Sequence, residues 1–562
     1  MRESCEQRES LSGRVVGAGS AERARWYSYV PAVDRRRSAM TAEATTRSNA
    51  GGRPVVDTTY GPVRGVDDGV VASWKAVRYA AAPVGDLRWR APQPPTAWTE
   101  PFDATRVGPV CPQPTDPRIP IDLGAPQGED FLRLNVWAPS GTEAGAGKPV
   151  MVWVHGGAYI LGSASQPLYK GRRLAVDGDV IVVTVNYRLG ALGFLELATL
   201  GADADRFATN VGLRDVLAAL EWVRDNIAAF GGDPGRVTLF GESAGAGVVT
   251  TLLGSPAARG LFHAAIAQSS PVTSSYDAEP ASRIAARFLE VVGVGRDELS
   301  RLTQLPIEAI VTASRTVFDE VPVQTPGRLA FAPIVDRDVI PDYPVRLARA
   351  GRTHPVPLII GTNRNEAALF RYMKSPLMPI KTESIRAMFA QIAAEQPDLS
   401  LPEQRALEGV YRGRRKGKGL GLAGDLGFRM PSIWFADGHR TSAPVYLYRF
   451  DFATPMLRLL RLHAAHATEL PFVWGNLGAV RKDPMFALGG RAVGEQVSRR
   501  VRARWTGFAR DGVPTGLPGE PQWRPYGAED RATLVIDRQD AVVDDLDAPV
   551  RRAWGDDVLS FR

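Results

Sequence analysis

From Val150 to Ser270 the chain repeats one alternation, in which a short apolar run gives way to a helical pattern and then to another apolar run. "VMVWVHGG" (150–157) is such a run, ending in glycines, and "VIVVTVNYRLG" (180–190) is a second, rich in β-branched residues. In "VGLRDVLAALEWVRDNIAAFGGD" (211–233), Val216, Leu220, Val223 and Ile227 recur at helical spacing, and Gly231 and Gly232 close the pattern. "RVTLF" then reads as a strand, "AGAGVVTTLLGS" as a small-residue helix and "HAAIAQSS" as a further strand. Strands without polar alternation are buried on both faces, and helices between them supply the cover. The expected fold is therefore α/β: a large, mostly parallel central sheet with helices on both faces.

Within that alternation lies "FGESAGAGVV" (240–249), with Gly241, Ser243 and Gly245 in a Gly-x-Ser-x-Gly pattern. Ser243 falls between a predicted strand and a predicted helix. A serine there sits in a tight, strained bend, and glycines two residues to either side remove the Cβ atoms that would clash as strand and helix cross. The start of the helix points free N–H groups and the positive end of its dipole at whatever the serine binds.

A serine hydroxyl is a weak nucleophile at neutral pH. It needs a base within hydrogen-bond reach, an acid that orients the base, and N–H donors for the developing oxyanion. The chain has six histidines. In this class of fold the order along the chain is serine, acid, histidine. That order removes His155, while His263 and His354 flank predicted strands. His439, His463 and His466 remain, and the last two share the loop-like stretch "LHAAHATELPFVWGN" (462–476). By the residues alone, His463 and His466 both stay open. For the acid, "PLIIGTNRNEAALF" (357–370) gives a strand, a turn and then Glu366 at a helix start, and Asp336 and Asp338 are the next candidates. Oxyanion donors are expected from "HGGAY" (155–159) and from Ala244, the residue after the serine.

These blocks, with "VRYAAAPVGDLRWRAPQPPTAW", "EDFLRLNVWAP" and "HATELPFVWGN", resemble the type-B carboxylesterases of the α/β-hydrolase superfamily, closest to bacterial para-nitrobenzyl-esterase-like members. The resemblance runs from about Val55 to the C-terminus. It implies an α/β-hydrolase fold with a gorge-forming cap from segments 270–350 and 370–460, and a serine carboxylesterase working through an acyl-enzyme. It assigns Ser243 as nucleophile, Glu366 as acid and His466, rather than His463, as base. It puts the oxyanion hole at Gly157, Ala158 and Ala244, with Glu242, Ser269 and Glu469 as polar support around the histidine. No metal or organic cofactor is implied, and the expected partner is a small-molecule ester. Amide or carbamate hydrolysis by the same acyl chemistry is the alternative, followed by a non-catalytic binding member of the family. The chain departs from the family in three places: Ala158 stands where many relatives have glycine, Phe131 replaces a cysteine, and Ala367 replaces the glycine after the acid. Cys111 thereby loses the partner of the family's first disulfide.

The 562 residues carry 68 basic and 61 acidic side chains, a net charge of +7. Residues 1–39 hold eight arginines against five acids and so contribute +3 of it. The remainder is too diffuse for a nucleic-acid partner. No apolar run approaches the ~18 residues of a membrane-spanning helix. The basic N-terminus lacks the apolar core of a signal peptide. With only Cys5 and Cys111 in the chain, a reduced, cytoplasmic setting is expected. Residues 1–52 read as a disordered extension, with Met40 an alternative start, and 53–562 as the hydrolase domain. Two segments before His466 stand out: a basic glycine-rich loop, "YRGRRKGKG" (411–419), and an amphipathic stretch, "MLRLLRLH" (456–463). They suggest a solvated basic loop and an amphipathic cover for the gorge; a positively charged rim that favours anionic membranes or acidic substrates is the less favoured role.

Overall fold

The computed structural model describes residues 52–115, 121–201, 206–411, 415–479 and 484–562. The expected extension, apart from residue 52, lies outside the described residues, as does Cys5. In chain order the strands are β1 (Val55–Thr58), β2 (Gly61–Arg64), β3 (Val66–Asp67), β4 (Val71–Arg78), β5 (Phe102–Asp103), β6 (Arg133–Pro139) and β7 (Lys148–Val154). They continue as β8 (Ile181–Val185), β9 (Gly232–Glu242), β10 (Ala264–Gln268), β11 (Leu358–Asn363), β12 (Val445–Phe450), β13 (Thr533–Ile536) and β14 (Ala541–Val543). β1, β2 and β5 form a small sheet, and the other strands make one eleven-stranded sheet in the order β14-β13-β12-β11-β10-β9-β7-β8-β6-β4-β3.

From β8 to β13 every neighbouring pair is parallel. The flanks are antiparallel, through β3, β4 and β6 at one end and β14 at the other. The sheet is thus parallel where the site lies and mixed overall. The parallel strands are buried on both faces, and their residues alternate between two apolar cores. Val150, Val152 and Val154 of β7 join one core, while Met151 and Trp153 join the other. The first core also takes Leu213, Val216 and Leu220 of the helix Val211–Asn226 and Val248 of the helix Ala244–Leu252. The second takes Leu174 of the helix Arg172–Gly178 and Val497, Val501 and Trp505 of the helix Arg491–Asp511. The period of two in the strands therefore becomes helices on both faces.

The helix Val211–Asn226 shows how local pattern becomes packing. Its predicted apolar residues Val216, Leu220 and Val223, with Ile227 just beyond, are all fully buried, each contributing about 1.5–3 kcal/mol. A 3₁₀ turn, Ile227–Phe230, extends it until Gly231 adopts φ 83°. That left-handed residue stops the helix and turns the chain into β9.

Two expectations about the cap change. The segment read as a basic loop enters a helix at Arg415, which runs to Gly424, with residues 412–414 outside the described set. Its glycines are weak evidence for a helix, but packing supplies what propensity lacks: Ala423 is buried in this one. A π-helical turn, Asp425–Arg429, continues it into the helix Met430–His439. In the amphipathic stretch only Pro455–Leu459 is helical. Leu457 and Leu462 are its buried residues, whereas Leu459 and Leu460 face solvent. An apolar cavity of about 60 Å³ is bounded by residues of both segments expected to form the cap, among them Tyr276, Met378 and Leu426.

Candidate active site

Four adjacent strands, β11, β10, β9 and β7, end along one edge of the sheet. Those carboxyl ends carry Asn363, Gln268, Glu242 and the run from His155 to Ala158. This is where parallel α/β sheets leave a crevice for ligands.

Ser243 follows β9 directly, with φ 55° and ψ −125°. A non-glycine residue there is strained by about 1–3 kcal/mol. Its surroundings hold it in place: Ser243 N–H donates to the Gln268 carbonyl at 2.9 Å, and Gly247 N–H donates to the Ser243 carbonyl at 2.9 Å. The flanking glycines are required by contact. A Cβ on Gly245 would stand 2.1 Å from the Val154 carbonyl oxygen, and one on Gly241 would stand 2.6 Å from the Gly245 carbonyl. The result is a half-buried serine at the start of the helix Ala244–Leu252.

Glu366 stands one residue before the helix Ala367–Tyr372. Its carboxylate is buried and fully engaged. Oε1 accepts from Ser269 Oγ and from Asn363 N–H, both at 2.6 Å, and Oε2 lies 2.7 Å from His466 Nδ1. The segments carrying Glu366 and His466 are also joined through their backbones, since Asn365 N–H donates to the Ala464 carbonyl at 2.8 Å and His466 N–H to the Glu366 carbonyl at 3.4 Å. His466 packs against Phe370 and Phe428, with ring centroids 5.2 Å and 4.5 Å away, and the two phenyl rings also touch each other. Phe428 is delivered by the π-helical turn.

The opposite nitrogen of His466, Nε2, faces Glu242, whose Oε1 lies 3.2 Å away. That oxygen is close but off the N–H direction, and it has no hydrogen-bond partner among the described residues. Burial works against a charged imidazole here, but the carboxylates of Glu242, Glu366 and Glu469 outweigh it and raise the His466 pKa to about 9. Burial likewise pushes Glu242 up to about 8. Glu469 is also raised by burial. It accepts from Gln268 Nε2 at 3.1 Å and from Asn363 Nδ2.

The other histidines have different roles. His155 is buried, bonded to the Gly156 carbonyl at 2.9 Å and stacked on Tyr187, and burial lowers its pKa to about 4. His354 and His439 bond to carbonyls of Ser255 and Val356. His463 is exposed. Asp336 and Asp338 are removed from the site: Asp336 caps its own turn and binds Asn210, and Asp338 pairs with Arg214. Gly157 has φ 120° and Ala158 has φ 52°, so the methyl of Ala158 sits on a left-handed residue where glycine is easier. The N–H groups of Gly157, Ala158 and Ala244 donate to no acceptor among the described residues.

Sequence reasoning missed Asn363, Gln268, Phe370 and Phe428. Asn363 links Glu366 to Glu469, Gln268 Nε2 also donates to Glu469, and Trp505 Nε1 holds Gln268 Oε1 at 3.1 Å. The signal for Asn363 and Gln268 was a polar end to an otherwise apolar strand, as in "AAIAQ" and "LIIGTN".

A serine on a strained strand-to-helix bend, over the carboxyl edge of a sheet this large, puts the protein in the α/β-hydrolase class. The model of the carboxylesterase family matches residues 52–554. The chain is 36% identical to para-nitrobenzyl esterase of Bacillus subtilis (strain 168), over 89% of this chain and 98% of that one. It is 35% identical to phenmedipham hydrolase of Pseudarthrobacter oxydans, over 87% and 96%. Among solved structures, carboxylesterase EST55 of Geobacillus stearothermophilus superposes with a TM-score of 0.77 at 36% identity, covering 89% of this chain and all of that one. The chain belongs to the carboxylesterase family, and its activity is the hydrolysis of carboxylic esters.

Proposed function

We propose that Ser243, His466 and Glu366 carry out this hydrolysis as nucleophile, base and acid. The Ser243 hydroxyl attacks the ester carbonyl carbon while His466 Nε2 takes its proton. The carbonyl π pair moves onto oxygen, and the N–H groups of Gly157, Ala158 and Ala244 receive that oxyanion, each donor contributing about 2.7–4 kcal/mol. Collapse breaks the bond to the leaving oxygen, which takes the proton from His466. A water then repeats the two steps on the acyl-serine and releases the acid. Glu366 fixes the tautomer of His466 and stabilises the imidazolium. Ser269 holds Glu366, and Glu242 and Glu469 in their ionised forms add negative potential around the ring.

One observation carries this reading: the buried 2.7 Å contact of His466 Nδ1 with Glu366 turns Nε2 toward the residue that precedes Ser243. Ser243 Oγ makes no hydrogen bond among the described residues, consistent with a contact that tightens only when substrate binds. The likeness to para-nitrobenzyl esterase makes para-nitrobenzyl esters the first substrates to test. No nucleic acid takes part in the proposed reaction. A cytoplasmic setting is supported by the free, buried thiol of Cys111, and no helix among the described residues is long and apolar enough to cross a membrane.

The test is labelling with a fluorophosphonate. Wild type should lose activity in step with one label on the peptide containing Ser243. Ser243→Ala should take no label and retain only about 10³–10⁴-fold catalysis over water. Near-full activity in folded Ser243→Ala would end the proposal.

A further inference from the structure

On the outer side of the acid and base segments lies a cavity of about 580 Å³. One wall is the segment from Asn363 to Arg371, which carries Glu366. A second is the run from Arg458 to His463, which leads to His466. The third is the helix Arg415–Gly424 with the π-helical turn that follows. A smaller recess of about 310 Å³ shares Arg364, Asn365, Arg458 and His463 with it.

The charged lining is unbalanced. Among the described residues, Arg364, Arg371, Arg429, Arg458 and Arg461 face two carboxylates in the larger cavity, Glu366 and Asp425, while Asp451 and Asp537 line the smaller recess. The two in the larger cavity are engaged elsewhere. Glu366 holds Ser269, Asn363 and His466, and Asp425 accepts from Tyr411 and lies 3.6 Å from Arg429. Arg364 pairs with Asp451 at 3.1 Å, and Arg429 with Asp547 at 3.3 Å. The other three have no carboxylate among the described residues. Arg371 donates to the Arg461 carbonyl at 3.3 Å, and the guanidinium groups of Arg458 and Arg461 make no hydrogen bond or ion pair there. Three like charges around one cavity give it a positive potential that favours an anion. Guanidinium forks match the oxygens of phosphate and carboxylate in pairs, and several forks favour a multiply charged anion. The volume suits a small organic molecule rather than a bare ion.

The walls also matter. Arg461 (φ 56°), His463 (φ 53°) and Ala467 (φ 63°) are left-handed residues without glycine's freedom, all in the segment carrying the base. Arg371 belongs to the helix that follows the acid. An anion held by Arg371, Arg458 and Arg461 would tie the two segments together from outside the ester-binding side.

We propose that this cavity binds a phosphate monoester dianion through Arg371, Arg458 and Arg461, and that the bound anion clamps the segment bearing His466 to the helix that follows Glu366. The phosphate belongs either to a free metabolite or to a lipid headgroup. Leu459, 66% exposed between Arg458 and Arg461, would favour the second source.

The test uses the full chain and two probes. Glycerol 3-phosphate is titrated by calorimetry against sodium chloride of equal ionic strength. Phosphatidylcholine vesicles with and without phosphatidic acid are used for co-sedimentation. Wild type is compared with Arg371→Gln/Arg458→Gln/Arg461→Gln and with Arg296→Gln, a distant exposed control. The three cavity side chains are exposed, so the triple variant should fold, which unchanged circular dichroism verifies. Saturable binding of glycerol 3-phosphate, weakened at least about tenfold in the triple variant and not in the control, supports a free phosphate. Sedimentation only with phosphatidic acid, lost in the triple variant, supports the lipid source. In either case hydrogen exchange across 458–467 should slow on binding. No binding of either probe, binding reproduced by chloride, or binding retained by the triple variant overturns the site. Binding without slowed exchange overturns the clamp.

Discussion

Replacing Glu366 by glutamine exchanges one oxygen for an NH₂ group and leaves the shape of the side chain intact. The structure decides which way the amide must point. Oε1 accepts from Ser269 Oγ and from Asn363 N–H. The hydroxyl can rotate, but the backbone N–H cannot become an acceptor. An NH₂ group at that position would leave two buried donors facing each other, a penalty of about 1–3 kcal/mol. The amide oxygen therefore stays there, and the NH₂ group faces His466 Nδ1, now 2.7 Å from Oε2. To accept it, Nδ1 must give up its proton, which moves to Nε2. A protonated Nε2 cannot take the proton of Ser243. The variant should keep its fold and lose about 10⁴-fold in kcat, equivalent to about 5.4 kcal/mol of transition-state stabilisation. The assay is steady-state hydrolysis of a para-nitrobenzyl ester across the pH range, alongside a thermal melt. A folded Glu366→Gln protein whose kcat stays within about tenfold of wild type at every pH would refute the tautomer argument.

His466→Ala should cost as much kcat as loss of the serine, whereas His463→Ala, at an exposed ring, should remain within about 0.5 kcal/mol of wild-type stability and keep its turnover; kinetics and melts of the two variants side by side decide it. Glu242→Gln removes the carboxylate that most raises the His466 pKa, so the imidazolium loses support and gives up its proton at lower pH. The acid limb of the kcat/KM profile should then move down by about one pH unit, and a profile that stays in place would show that Glu242 does not act on His466. Gly245→Ala drives a methyl into the Val154 carbonyl and should destabilise the protein by about 1–3 kcal/mol; a denaturant melt that matches wild type would contradict the packing described at the elbow.

Whatever depends only on neighbours along the chain was legible in the residues. Uniformly apolar runs separated by helical spacing required a parallel sheet covered on both faces. The glycines around Ser243 marked a bend too tight for side chains. The strand before Glu366 put a carboxylate at the start of a helix. These features are local, because strand period, helix period and turn sterics are written within a few residues. The choice between His463 and His466 was not local. The two are three residues apart in one loop, and the residues alone left both open until the resemblance selected one. Tertiary structure separates them physically: His466 is 6% exposed, packed against Phe370 and Phe428 and bonded to Glu366, while His463 faces outward to the arginine-lined cavity. The supporting chain from Trp505 through Gln268, Glu469 and Asn363 was equally hidden, since its members come from four separate segments. So was the helix beginning at Arg415, whose glycine-rich sequence gives little helical signal and whose buried face exists only where the rest of the cap packs against it. Register, closure and burial are properties of contacts between distant segments, and only the folded chain fixes them.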